Sequence, residues 1–326
     1  MSQPFRPTPW LAHHHVQTLL PSLGWVRAPD IRWDREVFRL PDSDTVALDW
    51  HPLPPNQPPT AVLVILHGLE GSSESSYARG IADEAYRRGW LSVVLHARDC
   101  GGHPNTMPRR YHAGETSDPG GVFDVISDRY ANIPLFACGY SLGGNTLLKY
   151  LGERGGNTPI RAAAAVSVPF DLQGAADSVS YGFSKLYQWY LMRNMKKSLV
   201  RKFGRDPVAF DLAAALRTRT FEEFDDMVTA PMHGFTGKDD YYSRCSSKQF
   251  MRDIRVPTTV IHALDDPFIS RSLLPTDGDI SDSVTLEYTE HGGHVGFVQG
   301  PMPGKLSFWL PERLCWHFER MSRPVE

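Results

Sequence analysis

The sequence predicts an α/β fold, a mostly parallel sheet flanked by helices with a helical insertion late in the chain. Three observations carry this. Apolar runs at 61–66, 91–95, 134–138, 162–168, 256–263 and 284–288 alternate with stretches of helical spacing over most of the chain, the pattern of successive βαβ units. The run at 61–66 is continuously apolar and rich in β-branched residues, as a central strand buried on both faces is. The polar clusters that could carry chemistry each follow a predicted strand: His67-Gly68, Gly139-Tyr140-Ser141-Leu142-Gly143, Asp265-Asp266 and Gly292-Gly293-His294. In open parallel sheets, function sits beyond the carboxyl ends of the strands.

Composition sets the frame. The chain has 326 residues, 41% hydrophobic and 22% charged, which reads as one soluble globular α/β domain spanning 1–326. A net charge of −3 gives no hint of nucleic acid or an anionic surface as partner. The cysteines Cys100, Cys138, Cys245 and Cys315 are scattered and form no C-x-x-C pair, so neither a zinc site nor a disulfide framework is suggested, and a reduced, cytoplasmic setting is the simplest reading. The N-terminus lacks the layout of a signal peptide. No apolar run approaches bilayer-spanning length, so no integral membrane segment is expected.

Taken in order, residues 1–30 are rich in proline and aromatics and are expected to wrap the surface. His13, His14 and His15 suggest a metal at first sight. Three adjacent side chains cannot all face one ion from a regular element, however, and no acidic or cysteine ligand is near in sequence, so no metal and no cofactor is expected. Residues 33–40 and 45–50 alternate around the turn cluster Pro41-Asp42-Ser43-Asp44, an antiparallel hairpin at a sheet edge. After the proline-rich loop 52–59 comes the core strand 61–66, then a helix over 77–88 stopped by Gly89, the strand 91–95 and a helix over 123–130. The next strand, 134–138, leads into the G-x-S-x-G pattern and a helix ended by Gly155-Gly156. Strand, sharp turn and helix is the geometry that lifts a serine hydroxyl out at the top of a sheet. A side chain at Gly139 or Gly143 would crowd that turn. A strand at 162–168 follows, and then the alternation stops.

Residues 171–240 are expected to form a helical cap or lid. Within it, 184–203 is a long amphipathic stretch with Leu186, Tyr187, Tyr190, Leu191, Met195, Leu199 and Val200 apolar and Arg193, Lys196, Lys197, Arg201 and Lys202 lining the other side. It reads as a packed helix, as a lid whose aromatic and methionine face meets an acyl chain, or as a basic membrane-surface helix. The core pattern returns with strands at 256–263 and 284–288, and a helix over 312–320 closes the chain.

The candidate residues come in the order Ser, Asp, His. Ser141 is a poor nucleophile unless a base activates it. His294 would take its proton and return it to the leaving group, and an aspartate would fix the histidine tautomer. Asp266 precedes a proline and is favoured for this role over Asp265; His294, presented by Gly292-Gly293, is favoured over His291. The backbone N–H groups of Leu69 and Leu142 are expected to hold the oxyanion, with His67, Gly68 and Tyr140 contacting substrate.

These residues resemble the YheT-type branch of the α/β-hydrolase superfamily, which includes eukaryotic α/β-hydrolase-domain proteins and plant embryogenesis-associated relatives. The matching stretches are His15-Val16-Gln17-Thr18, His67-Gly68-Leu69-Glu70-Gly71-Ser72, Tyr111-His112-Ala113-Gly114-Glu115-Thr116, Gly139-Tyr140-Ser141-Leu142-Gly143-Gly144-Asn145, Asp240-Tyr241-Tyr242, Asp265-Asp266-Pro267-Phe268 and Gly292-Gly293-His294-Val295-Gly296-Phe297. The resemblance implies an α/β-hydrolase fold and carboxylic ester hydrolysis, and it supports Ser141, Asp266 and His294 position by position. One departure is His96-Ala97-Arg98-Asp99-Cys100, where the family commonly has Asn-x-Arg-Gly-Cys; Asp99 in place of glycine is expected to alter the pocket entrance. The expected function is hydrolysis of a small-molecule or lipid ester through an acyl-enzyme. One alternative is an acyltransferase, separated by product analysis with added alcohol; another is a non-catalytic ligand-binding member of the fold.

Overall fold

The computed structural model describes residues 4–204 and 210–322. The expected surface segment and the expected insertion each include residues outside that set, 1–3 and 205–209. Eight strands form one sheet: β1 (Asp34–Arg39), β2 (Thr45–His51), β3 (Val62–Leu66), β4 (Leu91–Leu95), β5 (Leu135–Tyr140), β6 (Ile160–Val166), β7 (Thr258–Ala263) and β8 (Val284–Thr289). Their spatial order is β1-β2-β4-β3-β5-β6-β7-β8. The pairs from β4 to β8 are all parallel, while β1 and β2 join antiparallel at one side. The chain thus winds one way from β3 to β4 and the other way to β5. The carboxyl ends of β3 and β5 lie side by side at this reversal, with Leu66 opposite Gly139, which is where an open parallel sheet leaves a crevice.

The strands form where they do because their side chains fill both faces. Every residue of β3, β5 and β7 is buried. One face of β3 contributes Val64 and Leu66 to a cluster with Phe123, Leu147 and Phe170; the other gives Leu63 and Ile65 to a cluster with Ile81, Trp90 and Phe318. Burying one such aliphatic or aromatic side chain fully is worth about 1.5–3 kcal/mol. The exposed strand β1, open at the edge, buries little by comparison. The layers over the sheet are α2 (Ser76–Arg87), α3 (Ser117–Arg129), α4 (Leu142–Arg154) and the final helix α11 (Leu310–Ser322). All four cysteines are buried and free. Among the described residues, no helix is long and apolar enough to cross a membrane.

The N-terminal stretch and the start of α3 differ from the sequence expectation. The N-terminal stretch does more than wrap the surface, since it contains the helix α1 (His14–Ser22), whose buried Gln17 donates to the Leu11 and Val298 carbonyls and accepts the Val298 N–H. Between β6 and β7 the chain is helical: α5 (Leu172–Ser178), α6 (Ser184–Phe203), α7 (Leu212–Arg217), α8 (Phe221–Phe224), α9 (Ala230–Met232) and α10 (Lys238–Cys245), with a π-helical turn at Asp225–Thr229. Helix α3 starts well before the expected residue 123, because Gly120 and Gly121, which look like a turn, lie within it.

The core also carries a pH dependence. Burial holds His67, His262 and His317 down at about 4, against an ordinary value of 6.5. A histidine whose folded-state pKa is depressed is protonated first in the unfolded chain. Stability from these groups is therefore complete above about pH 6.5 and is lost as pH falls toward 4, by up to about 1.4 kcal/mol per histidine per pH unit. Asp225, raised to about 6 by burial, and Asp118, also raised, oppose this, while His112 and His233, likewise held down by burial, add to it. Denaturant midpoints measured at about pH 7 and about pH 5 are expected to fall steeply on acidification; equal midpoints would contradict this account.

Candidate active site

Ser141 sits between β5 and α4 with φ 49° and ψ −118°, a strained conformation held by its surroundings. Those surroundings are backbone. A Cβ on Gly143 would lie 2.5 Å from the carbonyl oxygens of both Leu66 and His67, so any side chain there would push the elbow away from β3. Asn145, fully buried one turn into α4, donates to the carbonyls of Ala113 and Cys245 and accepts the Ser247 N–H. It ties the elbow helix to the loop before α3 and to the end of α10.

The structure brings three of the expected residues into one chain of hydrogen bonds. His294 Nε2 lies 2.9 Å from Ser141 Oγ. His294 Nδ1 lies 2.9 Å from Asp266 Oδ2. The other Asp266 oxygen accepts the Phe268 N–H at 2.8 Å, and the Phe268 ring stacks on the His294 ring with centroids 4.1 Å apart. The imidazole is thereby fixed in plane and in rotation. His262 lies behind Asp266, its Nε2 3.6 Å from Oδ2. Burial keeps His262 neutral near pH 7, so it places no positive charge behind the carboxylate. Asp265 belongs to a different pair. One of its oxygens accepts the Gly293 N–H at 2.9 Å, and the other lies 3.3 Å from Nδ1 of the exposed His291.

The loop bearing His294 rests on parts of the chain that gave no catalytic signal in isolation. Its backbone N–H donates to Thr18 Oγ1 of α1, and that of Val295 donates to Ser167 Oγ just after β6. At Gly293 (φ 57°), a Cβ would meet the His14 carbonyl oxygen at 2.6 Å, so helix and loop approach as closely as backbone allows. The His15-Val16-Gln17-Thr18 motif was the only signal for this. His15 itself packs its ring on Phe183 and places Nδ1 3.0 Å from the Tyr187 hydroxyl, joining α1 to α6.

Leu69 and Leu142 flank the serine and line the same cavity. Among the described residues, neither backbone N–H has a protein acceptor. Gly68 also lines the cavity, its N–H held by the Tyr77 hydroxyl at 2.9 Å. His67 and Tyr140, expected against substrate, are placed elsewhere. His67 is buried with Nδ1 2.7 Å from the Gly68 carbonyl and Nε2 accepting the Ala97 N–H, so it shapes the loop rather than lining the cavity. Tyr140 points into the core, its ring 4.5 Å from that of Tyr77. Strand alternation puts Tyr140 on the same buried face of β5 as Phe136 and Cys138.

Asp99 also differs from expectation. It adopts φ 67°, a left-handed conformation that favours glycine. It does not line the catalytic cavity. Its carboxylate takes Arg110 at 3.2 Å and Arg201 of α6 at 3.3 Å. Arg110 also pairs with Glu70, the residue after Leu69, and Glu70 accepts from the hydroxyls of Tyr111 and Ser198. The substitution thus adds an anchor between the loop after β3 and α6.

The cavity over Ser141 has a volume of about 1060 Å³. Its walls are apolar where the insertion covers it, with Leu172, Val179, Phe221, Phe224 and Val228. Polar side chains interrupt them, among them Asn194, His233 and Asp225; Asp225 accepts from the hydroxyls of Thr229 and Tyr242, and burial pushes its carboxyl up to about 6. The Asp240-Tyr241-Tyr242 motif is explained here, since the Tyr241 hydroxyl accepts the Ala113 N–H while Tyr242 holds Asp225.

Comparison with known proteins agrees with this architecture. Residues 61–301 match the family described as the alpha/beta hydrolase fold. Over 316 residues, 96% of this chain and 92% of its relative, the sequence is 39% identical to YheT of Escherichia coli K12, a protein designated a candidate esterase. The chain belongs to the YheT branch of the α/β-hydrolase family. This α/β-hydrolase is also 32% identical to the embryogenesis-associated protein EMB8 of Picea glauca, across 92% of this chain and 68% of that one. It is 28% identical to phospholipase ABHD3 of Mus musculus, across 94% and 76%. Among solved structures, the Pyrococcus furiosus esterase Pf2001 aligns with a TM-score of 0.60 at 14% identity, covering 90% of this chain and 92% of that one, a likeness of fold.

Proposed function

We propose that this protein hydrolyses carboxylic esters with an apolar acyl part, short- to medium-chain or lipid, through an acyl-enzyme on Ser141. The observation that carries this is the unbroken Ser141–His294–Asp266 hydrogen-bond chain at the floor of a large apolar cavity. His294 Nε2 takes the Ser141 proton as Oγ attacks the ester carbonyl. Asp266 holds Nδ1–H and stabilises the imidazolium. The negative oxygen of the tetrahedral intermediate is received by the N–H groups of Leu69 and Leu142, the latter at the positive end of α4. The alcohol leaves with the proton from His294, and water, activated by the same histidine, releases the acid. Residues 171–240 act as a cap that keeps water from the acyl chain.

The cavity size gives the test. Against p-nitrophenyl esters from acetate to palmitate, kcat/KM is expected to rise beyond acetate as added methylenes fill the apolar walls, each worth up to about 0.8 kcal/mol. A monotonic fall from acetate upward would contradict the assignment of this cavity to the acyl group.

A further inference from the structure

The outer face of α6 is divided along its length. Its inner face packs Met192, Met195, Leu199 and Phe203 into the insertion. On the outer side, at helical spacing, stand Leu186, Trp189 and Tyr190, with exposures of 50%, 58% and 56%, followed by Arg193 and Lys197. Phe183 and Tyr181 extend the apolar half, also exposed. Adjacent large apolar side chains left in water on one helix face mark a contact surface.

Two further observations say what contacts it. First, the aromatic half is the mouth of the catalytic cavity. Leu186, Trp189 and Tyr190 line that cavity, and so do Leu19 and Leu23 from α1 and the turn after it, with Leu23 itself exposed. Second, Trp189 also borders a second groove, of about 770 Å³, whose lining among the described residues holds Arg193, Lys196, Lys197, Arg217 and Arg219 and no carboxylate. Arg193 lies over the Trp189 ring at 5.7 Å. Among the described residues, no carboxylate is within ion-pair distance of Arg193, Lys197 or Arg217. Glu223 accepts the Arg219 backbone N–H and attracts Lys196. The overall charge of −3 conceals this local excess.

We propose that this face is a docking surface for a bilayer carrying anionic lipids. Trp189 and Tyr190 enter the headgroup boundary, where an amphipathic ring has one end apolar and one end wet. The cationic groove of α6 and α7 takes the lipid phosphates. Docked so, the cavity mouth opens on the membrane, and an acyl chain can pass from the bilayer to Ser141 along apolar walls. That last step rests on the ester-hydrolase reading; the docking does not.

The test is co-sedimentation of the full chain with vesicles of phosphatidylcholine alone or of phosphatidylcholine with phosphatidylglycerol, alongside hydrolysis of a soluble short-chain ester. Binding is expected only with phosphatidylglycerol and is expected to weaken with salt. The double substitution Arg193→Gln, Lys197→Gln, at exposed helical positions outside the cavity, is expected to weaken it roughly thirtyfold and to leave soluble-ester turnover unchanged. Wild-type protein that stays in the supernatant with phosphatidylglycerol at low salt overturns the proposal, as does undiminished binding by the double variant. A stable dimer closed over this face in sedimentation equilibrium overturns it in favour of a second copy. Soluble-ester turnover without vesicle binding refutes the docking alone; vesicle binding without turnover refutes the hydrolase reading alone.

Discussion

Ser141→Ala is expected to lower kcat/KM for a soluble ester by on the order of 10⁴-fold or more, with the melting temperature unchanged. The loss is large because the hydroxyl has no substitute: among the described residues it is the one nucleophile within hydrogen-bond reach of His294 Nε2. What survives is the contribution of the oxyanion N–H groups and of binding. The fold is expected to survive because alanine keeps the Cβ and meets the same backbone constraint, φ 49° at the elbow. That constraint gives a second expectation from the same site. Ser141→Gly removes the Cβ and should be more stable than Ser141→Ala by about 1 kcal/mol or more, since strain at a left-handed position is relieved by glycine. Equal stability of the two variants in chemical denaturation would mean that the elbow stores no strain.

The second large effect separates two adjacent carboxylates. Asp266→Asn is expected to cost on the order of 10⁴-fold in kcat, with the structure intact. The reason lies in its two partners. One Asp266 oxygen accepts the Phe268 N–H and the other faces His294 Nδ1. An asparagine would keep its carbonyl on Phe268 and turn its NH₂ toward Nδ1. The histidine would then carry its proton on Nε2, pointing at Ser141, and could accept none. Asp265→Asn should behave differently. Asp265 steadies the loop through the Gly293 N–H, so its loss is expected to cost roughly tenfold or less. Steady-state kinetics of the two variants decide the point, and a larger loss at Asp265 would move the acid by one residue.

What could be read from the sequence divides along physical lines. The strands β3, β4 and β5 were legible because burial on both faces forces an apolar run. That Ser141, Asp266 and His294 lie near one another was legible because each follows a strand predicted from the sequence. The choice of Asp266 over Asp265 rested on its place before Pro267, and the structure puts that carboxylate, and not its neighbour, against His294. Less visible were the supports. Thr18 lies 276 residues from the His294 N–H it accepts, and no local pattern announces such a contact. His67 looked like a substrate contact because it stands next to Gly68, but its ring turns back to hold the loop. The insertion was legible as helical at α6, whose bounds match the amphipathic stretch. The short helices around it have no periodicity long enough to read, because their packing is set by the cavity they cover.

The most direct test of the central claim is intact-mass analysis after treatment with a fluorophosphonate, followed by peptide mapping. A Ser141 activated by His294 is expected to take one phosphonyl group on its Oγ with loss of fluoride, and the His294→Ala variant to label far more slowly. An unlabelled wild-type protein, or a label on any other residue, would contradict the account.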